Sequence, residues 1–400
     1  MRIAIIGGGA AGFMAAITAK LHNGKNEVVL FEKSNKVLAK VKISGGGRCN
    51  VTNACFSVSQ LIKNYPRGEK FLKNAFPHFH TRDTIDWFDS RGVPLKAEAD
   101  NRMFPISDNS QSIVDCLMNE IDKLGVELKL QSVISKIEKL ENQFLLEINH
   151  QENYFDKVII ATGGSPKLSG FDWINNLQKN IIEPVPSLFT FNIPKDGITE
   201  LMGVVASNAT VRIQGTKIKH NGPLLITHWG MSGPAVLKTS SFGARYLFDN
   251  NYNFNIQINW TDFSEEEYQK LIAQNKTSNR LITNKNPFEI PSRLWNFIVQ
   301  KSQISEIKKW NELSKKDVNK LLNHLMNDVY AVKGKTTFKE EFVTSGGVDL
   351  NDINSQTMES KNCKGLYFCG EVMNIDGVTG GFNFQAAWTS GFLAGKNSTI

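Results

Sequence analysis

MRIAIIGGGAAGFMAA, residues 1–16, decides the fold of this chain. Ile3 to Ile6 read as a short buried strand, and the glycines that follow cannot continue it. The spacing Gly7-x-Gly9-x-x-Gly12 then opens into the alanine-rich run of a helix at 10–23. Gly7 permits a tight turn, Gly9 lets a pyrophosphate approach the backbone, and Gly12 lets the helix lie close to the sheet. Free amides at that helix start, with its dipole, favour the phosphates. Glu32 comes twenty residues after Gly12, at the end of the strand-like run EVVLFE (27–32). A carboxylate there can accept from both hydroxyls of an adenosine ribose. Strand, turn, helix and acid together point to a bound dinucleotide. The apolar start is too short for a secretory signal and no cleavage-like segment follows, so it is expected to remain as structure.

Outward from this unit, VELKL and KVIIAT are further strand-like runs, and helical patterns at 68–91 and 110–123 separate them. This alternation is α/β logic and extends to about residue 165. From about 190 to 260 the runs TFNIP, NATVRIQG and YNFNIQINW read as short strands between Gly, Asn and Asp turns. SEEEYQKL, opening at Ser264, then supplies a serine N-cap and three glutamates in a first helical turn. Helical spacing recurs in PSRLWNFIVQ and KKDVNKLLNHLMNDV. The last 36 residues return to a strand, GLYFCGE, and a helix, FNFQAAWTSGFLAG. The expected organisation is an α/β, Rossmann-like domain from 1–190 plus 340–400. It is interrupted by a β domain at 191–261 and a helical domain at 262–339.

Composition limits the alternatives. Four hundred residues exceed what one core usually organises. Hydrophobic content of 41% with 21% charged residues excludes a disordered or fibrous chain. No apolar run approaches the ~20 residues of a membrane helix. The cysteines at 49, 55, 116, 363 and 369 form no CxxC pair, which points to a reducing, cytoplasmic setting. Net charge is +7, and it is uneven: Lys301–Lys339 holds nine lysines against Glu306, Glu312, Asp317 and Asp328. Such a cluster permits a polyanionic partner, although a solvated helical face has the same composition.

The C-terminus indicates which dinucleotide is meant. GLYFCGEV (365–372) ends a strand on Gly370 and Glu371, and DGVTGGFNFQAAW (376–388) turns into a helix. A strand-end acid can bind a polyol hydroxyl, and a Gly-Gly turn at a helix start offers amides and positive dipole to an anion. A ribityl chain and the N1/C2=O edge of a reduced flavin require those groups, whereas a nicotinamide cofactor has no ribityl chain. No second strand-GxGxxG-helix is present for a separately bound NAD(P)H. VIIATGGSP (158–166) would lie beside the pyrophosphate, and KISGGGRCNVTN (42–53) offers bare amides, Arg48, Cys49, Asn50 and Asn53 around phosphate or flavin.

With GGGAAG and KISGGGRCNVTN, the stretches NRMFPISDNS (101–110), THWGMSGPAVL (227–237), TSGGV (344–348) and ESKNCKGLYFCGEVMNIDGVTGGFNFQAAW make the chain resemble the BaiN/RdsA, or YhiN-like, family of FAD-dependent oxidoreductases. These motifs span essentially the whole chain in the family's order. The resemblance implies a two-dinucleotide-binding-type FAD fold with an inserted β-barrel-like domain and a small helical domain. It implies FAD held by Gly7, Gly9, Ala11, Gly12, Glu32, Lys33, Lys40, Ser44, Gly45, Gly46 and Arg48, with Val133 touching adenine through its main chain. Ala161, Thr162, Gly163, Gly370, Glu371, Gly381, Phe382 and Asn383 would complete the site. The chain departs from the family at Asn374, where aspartate is common, and at Ala386, where QWAW is more usual than QAAW.

The activities attached to this resemblance are reductions of conjugated C=C bonds with electrons from NAD(P)H. The expected substrate is uridine in ribosomal RNA, giving dihydrouridine; the alternatives are a small bile-acid-like enone and an amine such as aminoacetone. The scheme needs a hydride at the β carbon and an acid at the α carbon. Cys49 is a candidate donor because a thiol beside arginine has tunable acidity, and packing as a small buried residue is the competing role. His228, just before the helix start Ser232-Gly233-Pro234, could polarise a substrate carbonyl or bond the backbone. Arg102, with Ser107 and Asp108, could face substrate, by resemblance alone, or merely pin a loop. A dithiol reductase is disfavoured, because Cys49 and Cys55 are separated by five residues where such enzymes have four, and the second nucleotide domain is missing. A non-catalytic RNA-binding protein with structural FAD would differ in never having its flavin bleached by NAD(P)H.

Overall fold

The computed structural model describes residues 1–336 and 343–400. They fall into two compact units, one containing Met1–Pro186 and the C-terminal segment ending at Ile400, the other beginning at Ser187. The first is built on a five-stranded parallel sheet. Its strands are β1 (Arg2–Ile6), β2 (Glu27–Phe31), β3 (Glu127–Lys129), β4 (Lys157–Ile160) and β5 (Leu366–Phe368), lying side by side as β5-β4-β1-β2-β3. β1 pairs on both edges, with Ile5 opposite Leu30 and Ile159. A strand covered on both faces needs apolar residues throughout, so Ile3 to Ile6 form an unbroken run instead of alternating. The order reverses at β1, and in such sheets ligands bind in the crevice beyond the strand C-termini at that point.

Helix α1 (Ala10–His22) follows β1, and α2 (Phe382–Asn397) follows the segment after β5. The two run side by side in the same direction, Gly391 against Ala11 and Gly395 against Ala15. A Cβ at 391 would lie 2.5 Å from the Ala11 carbonyl oxygen, and one at 395 would lie 2.3 Å from that of Ala15. Glycine is what permits this approach. The connection from β3 to β4 is a meander of Ile134–Lys139, Phe144–Ile148 and Gln151–Phe155. Ile181–Pro186 pairs antiparallel with Thr344–Val348, so the chain leaves and re-enters this unit along one ladder. The helical pattern at 68–91 resolves into Glu69–Ala75 and Thr81–Asp89. Pro77 cannot donate to a continuing helix, and His80 instead caps the second with Asp83 in a reciprocal pair.

The second unit carries a seven-stranded antiparallel sheet. Its order is Asp328–Lys333, Asn253–Asn259, Val205–Ile213, Lys219–Thr227, Gly230–Ser232, Thr190–Asn192, Lys335–Thr336. The two outermost segments are separated in the chain by Gly334 alone, so the sheet curls until its edges meet, as in a barrel. Helix Pro234–Asp249 lies within the region read as β. Its cap is Gly233 at φ +94° and not Ser232, which still pairs with Leu225 in the strand. Glu265–Asn275, Ser292–Lys301 and Lys315–Met326 are the helices of the segment expected at 262–339, and Ser264 forms a capping box with Glu267 as its sequence suggests. Their apolar faces have no core of their own: Tyr268, Trp295 and Leu321, with Trp310 from the turn between the last two helices, pack into one cluster with Val211, Ile256 and Trp260 of the sheet. The segments expected as separate domains at 191–261 and 262–339 therefore share a core, and the unit starts at Ser187. The expected boundary at 339/340, like Lys339, lies outside the described residues. Among the described residues no helix is long and apolar enough to cross a membrane.

Candidate functional site

Three turns meet at the C-terminal ends of β1, β4 and β5. A Cβ on Gly7 (φ +119°) would lie 2.4 Å from the Ala161 carbonyl oxygen and 2.9 Å from Thr162 Cα, so the turn after β1 rests on the turn after β4. One on Gly12 would lie 1.9 Å from the Gly7 oxygen, which is the close helix–strand packing expected of that position. One on Gly370 would lie 2.8 Å from Ala11 Cβ, bringing the end of β5 to the first turn of α1. At Gly9 and Gly163, by contrast, a Cβ would meet nothing within 4 Å. The chain thus closes on itself at Gly7 and Gly12 and leaves room above Gly9. Gly9 is the N-cap of α1, with no side-chain cap and no acid in the first turn, so its amides face that room without a competing acceptor from either source.

Glu32 accepts from the Gly8 amide through Oε2 and from the Ser34 amide through Oε1, both at 2.9 Å. Two of its roughly four lone-pair sites are used, leaving acceptor capacity for hydroxyls. Gly8, which the spacing rule treats as a free position, is constrained: a Cβ would meet Val37 at 2.7 Å and Glu32 Cβ at 3.0 Å. Lys33 is exposed. Lys40 is bound to Glu371 at 2.5 Å, joining two expected cofactor residues that are remote in sequence. Val133 is exposed, but its amide donates to Asn149 Oδ1 at 3.0 Å and its carbonyl accepts from the Asn149 amide. Only the second lone pair of that carbonyl remains for an adenine.

The segment Ala39–Gly47 is helical only up to Ser44, where ψ opens to 153°. Gly45, Gly46 and Gly47 follow at φ +59°, +69° and +84°, and Cys49 at +62°. Successive left-handed residues turn their amides toward one side, an anion-binding concavity. Gly46 and Gly47 have open space where a Cβ would be, whereas at Gly45 Phe104 would be 2.8 Å away. Cys49 is wholly buried, and burial pushes its thiol up to about 12 against a smaller opposing hydrogen bond with Ser44. The thiol therefore stays protonated and closed off from solvent.

Arg48 and Arg102 belong to one charged cluster. Glu98 Oε1 holds Arg48 at 2.6 Å and its Oε2 holds Arg102 at 3.2 Å; Arg102 also bonds Asp100 at 2.7 Å. Arg48 lies over the Phe104 ring, 4.0 Å from its centre, and reaches Asp108 at 3.5 Å. The Asp108 carboxyl is held below its usual range chiefly by its hydrogen bond from Lys96. Glu98, in the unremarkable run KAEAD, is the group sequence reasoning missed; nothing in its neighbours marks it.

The turn before α2 is pinned from several directions. Tyr65 donates to the Phe382 carbonyl at 2.7 Å, Asn53 to the Gly380 carbonyl at 3.0 Å, and Asn50 accepts from the Gly381 amide at 2.9 Å. Asn383 closes the turn itself, accepting from the Gly377 amide and donating to its carbonyl at 2.8 and 3.0 Å. Asp376 is fully buried and paired with Arg67. The N-cap of α2 is Gly381 at φ +90°, again with no side-chain cap and no acid in the first turn. Asn374, where the chain departs from the family pattern, has a buried side-chain oxygen without a partner. Inside α2, Gln385 Oε1 accepts from Thr52 at 2.6 Å and Thr84 at 3.0 Å, tying the helix to the segment after Cys49.

His228 lies in the second unit, exposed in the two-residue turn between Lys219–Thr227 and Gly230–Ser232, with its ring edge-on to Trp229 at 4.4 Å. The lysine cluster is partly neutralised. Lys301 pairs with buried Asp328 at 2.6 Å and lies over Tyr330, and Lys308 pairs with Asp317 at 2.7 Å. Among the described residues no group of His, Cys, Asp and Glu could hold a metal ion.

A family model described as the HI0933-like protein Rossmann domain matches residues 1–397. The chain is 31% identical over 402 residues to the ribosomal RNA dihydrouridine synthase of Escherichia coli (strain K12), covering 98% of this chain and 96% of that protein. It is 25% identical over 410 residues to the 3-dehydro-bile acid delta(4,6)-reductase of Clostridium scindens, covering 99% of this chain and 98% of that protein. Among solved structures, 3-ketosteroid-delta4-(5alpha)-dehydrogenase from Rhodococcus jostii RHA1, in complex with 4-androstene-3,17-dione, is similar with a TM-score of 0.51 at 12% identity, covering 100% of this chain and 96% of that one. That last likeness is one of fold.

Proposed function

Because the chain belongs to the HI0933-like Rossmann family, we propose that it is a FAD-dependent oxidoreductase that uses NAD(P)H to reduce a conjugated C=C bond, with uridine in ribosomal RNA as substrate. One observation carries the FAD reading: two uncapped helix starts, parallel and offset. Gly391 lies against Ala11, so Gly381 is ten residues from the contact along α2 while Gly9 is two residues from it along α1. At 1.5 Å per residue the two helix starts are staggered by about 12 Å. That is about the reach from a pyrophosphate through a ribityl chain to the far edge of a flavin ring. A nicotinamide dinucleotide would leave the second start without a ligand.

In this reading the amides of α1 and the open space at Gly9 hold the pyrophosphate, and Glu32 accepts the adenosine ribose hydroxyls. Lys40 and Glu371, paired with each other, would flank the linker, and the amides at the start of α2 would favour negative charge on the flavin. FAD, when bound, supplies a hydride for the double bond. The chain must add a proton at the neighbouring carbon. Cys49 is closed off from solvent, so this reading gives it a packing role and leaves the acid to an accessible group.

The RNA substrate rests on the 31% identity to the ribosomal RNA dihydrouridine synthase. The test is to compare dihydrouridine in ribosomal RNA from cells with and without this gene. The modification should disappear with the gene. Unchanged dihydrouridine removes the RNA substrate, and absence of flavin from the purified protein removes the FAD reading.

A further inference from the structure

The +5 excess at Lys301–Lys339 is the obvious candidate for a polyanion track, but Lys301 and Lys308 are already spent on Asp328 and Asp317. A second cationic stretch lies elsewhere in the same unit. From Leu201 to Phe248 the sequence carries Arg212, Lys217, Lys219, Lys238 and Arg245, and not one aspartate or glutamate. Much of this stretch forms the hairpin of Val205–Ile213 and Lys219–Thr227 at the centre of the second unit's sheet.

The register shows where the charges point. Arg212 is directly opposite Lys219 on one side and Gln257 on the other, and Gln257 is opposite Val329. Side chains directly opposite in a sheet share a face, so these four form a row across four strands. Thr210 stands opposite Asn221 and Asn259 in the next row, and Asn253 is opposite Lys333 at the other end. Arg212, Lys219, Asn221, Val329 and Lys333 are exposed, while the alternate residues Val211, Ile213, Ile256, Ile258 and Tyr330 fill the core. Lys217 extends the face at the hairpin turn. Among the described residues Arg212, Lys217, Lys219 and Lys333 form no ion pair with a carboxylate. Asp262 takes the hydroxyl of Thr210 at the margin of this face.

Like charges directly opposite one another destabilise a sheet. Arg212 against Lys219, with no carboxylate between them, is unfavourable for folding and complementary to a row of negative charges. The neighbouring side chains are amides, which can donate to and accept from phosphates, ribose hydroxyls and base edges alike. Resting on the reading of the protein as an RNA-modifying enzyme, we infer that this exposed sheet face docks the RNA phosphodiester backbone, with Arg212, Lys219 and Lys333 as its principal phosphate contacts. The face deepens that reading by naming the surface, and it moves the RNA track from the helical lysines to the sheet.

The test measures binding of the flavin-loaded, full-length protein to a short fluorescent single-stranded oligouridylate across a salt series. Each phosphate neutralised on a single strand contributes about 0.7 to the slope of log affinity against log salt. The double variant Arg212→Gln/Lys219→Gln should lower that slope by about 1.4, or about 25-fold in affinity at ~0.1 M salt relative to ~1 M. Lys315→Gln/Lys316→Gln, which removes the same charge from the helical segment, should leave the slope unchanged. Lys219→Glu should abolish binding while holding or raising the thermal midpoint, because it replaces a like-charge pair with an opposite one; a merely structural lysine would lower it.

Equal loss in both double variants would mean that net charge and no particular face is read, and would overturn the proposal. Wild-type affinity in the Arg212/Lys219 variant would reject the surface while leaving the RNA substrate standing. No salt-dependent binding by the wild type would reject both. Retention on phosphatidylglycerol vesicles that is lost in the same variant, with oligouridylate binding intact, would assign the face to a membrane and overturn it as well.

Discussion

Replacing Gly395 or Gly391 by alanine tests the contact on which the cofactor geometry depends. Ordinary contact of a Cβ begins near 3.4 Å, and the added carbons would stand 2.3 Å from the Ala15 oxygen and 2.5 Å from the Ala11 oxygen. To relieve them, α2 must move off α1 by about 1.1 and about 0.9 Å. Alanine recovers roughly 1 kcal/mol of helix propensity over glycine, while overpacking of this kind costs about 1–3 kcal/mol. Each single variant is therefore expected to lose about 1–2 kcal/mol at the upper end of that cost. Both clashes are relieved by one translation while each alanine recovers its own propensity, so the double variant should cost no more than the worse single, a non-additivity expected of contacts that share one shift. The same translation carries the Gly381 turn with it, and a displacement near 1 Å at a reacting group can cost about a hundredfold in rate. Urea unfolding gives the stability, and flavin absorbance after dialysis gives cofactor retention. If each alanine raises stability by about 1 kcal/mol with flavin fully retained, propensity alone is acting and the close approach of the helices is wrong.

Glu98→Gln removes the charge shared by Arg48 and Arg102 while keeping its shape. Because all three side chains are partly exposed, the unfolding midpoint should move by less than ~1 kcal/mol, while flavin is retained less well than in the wild type; unaltered retention would show that the pairing positions nothing. Asp317 is held down to about 2, first by the Lys308 hydrogen bond, against an unfolded value of about 3.9. A depressed carboxyl stabilises above its unfolded pKa, so this contribution should be present above about pH 4 and fade as pH falls through about 2. With solvent screening it is worth roughly 1 kcal/mol, and Lys308→Met should shrink the acid-induced loss seen in thermal melts. For Cys49, iodoacetamide at mildly alkaline pH should label half-exposed Cys55 first and leave Cys49 unmodified in the native protein, and Cys49→Ala should keep most of its turnover with reduced flavin. Loss of turnover in a folded, flavin-loaded Cys49→Ala would restore the thiol as the acid.

The cofactor unit was legible because its requirements are local. Ile3 to Ile6, Gly7, Gly9, Gly12 and Glu32 fall within one strand-turn-helix-strand stretch, and each residue type answers to a backbone or hydrogen-bond need there. What escaped the sequence depends on partners far along the chain. Gly391 and Gly395 read only as tolerated glycines in a helix until Ala11 and Ala15 are placed against them. Glu98 acquires meaning only when Arg48 and Arg102 converge on it. Helical periodicity showed that 264–326 has apolar faces but not that the sheet covers them, which is why one core was divided into two domains. Counting lysines found the charge at 301–339, while the pairs with Asp328 and Asp317 that neutralise part of it are three-dimensional facts. The hairpin escaped for the opposite reason: its three cations, Arg212, Lys217 and Lys219, are too few to look like a cluster until strand register sets Arg212 against Lys219 on one exposed face.

The ladder by which the chain leaves and re-enters the first unit has a consequence for synthesis. β1 is made near the start, but its sheet is completed by β5 and α1 is covered by α2, more than 350 residues later. At roughly 5–20 residues per second, the nascent α1 waits on the order of 20 to 70 seconds for its partner helix. Through that interval Ala11, Ala15 and the rest of its apolar flank are open to wrong partners. The intervening unit is continuous in sequence and needs nothing from either end to close its core. It is expected to become protease-resistant on the ribosome first, with flavin capture following only after release of the C-terminal helix. Of the two units, the one that carries the cofactor is therefore the one most exposed to chaperone supply and to premature termination.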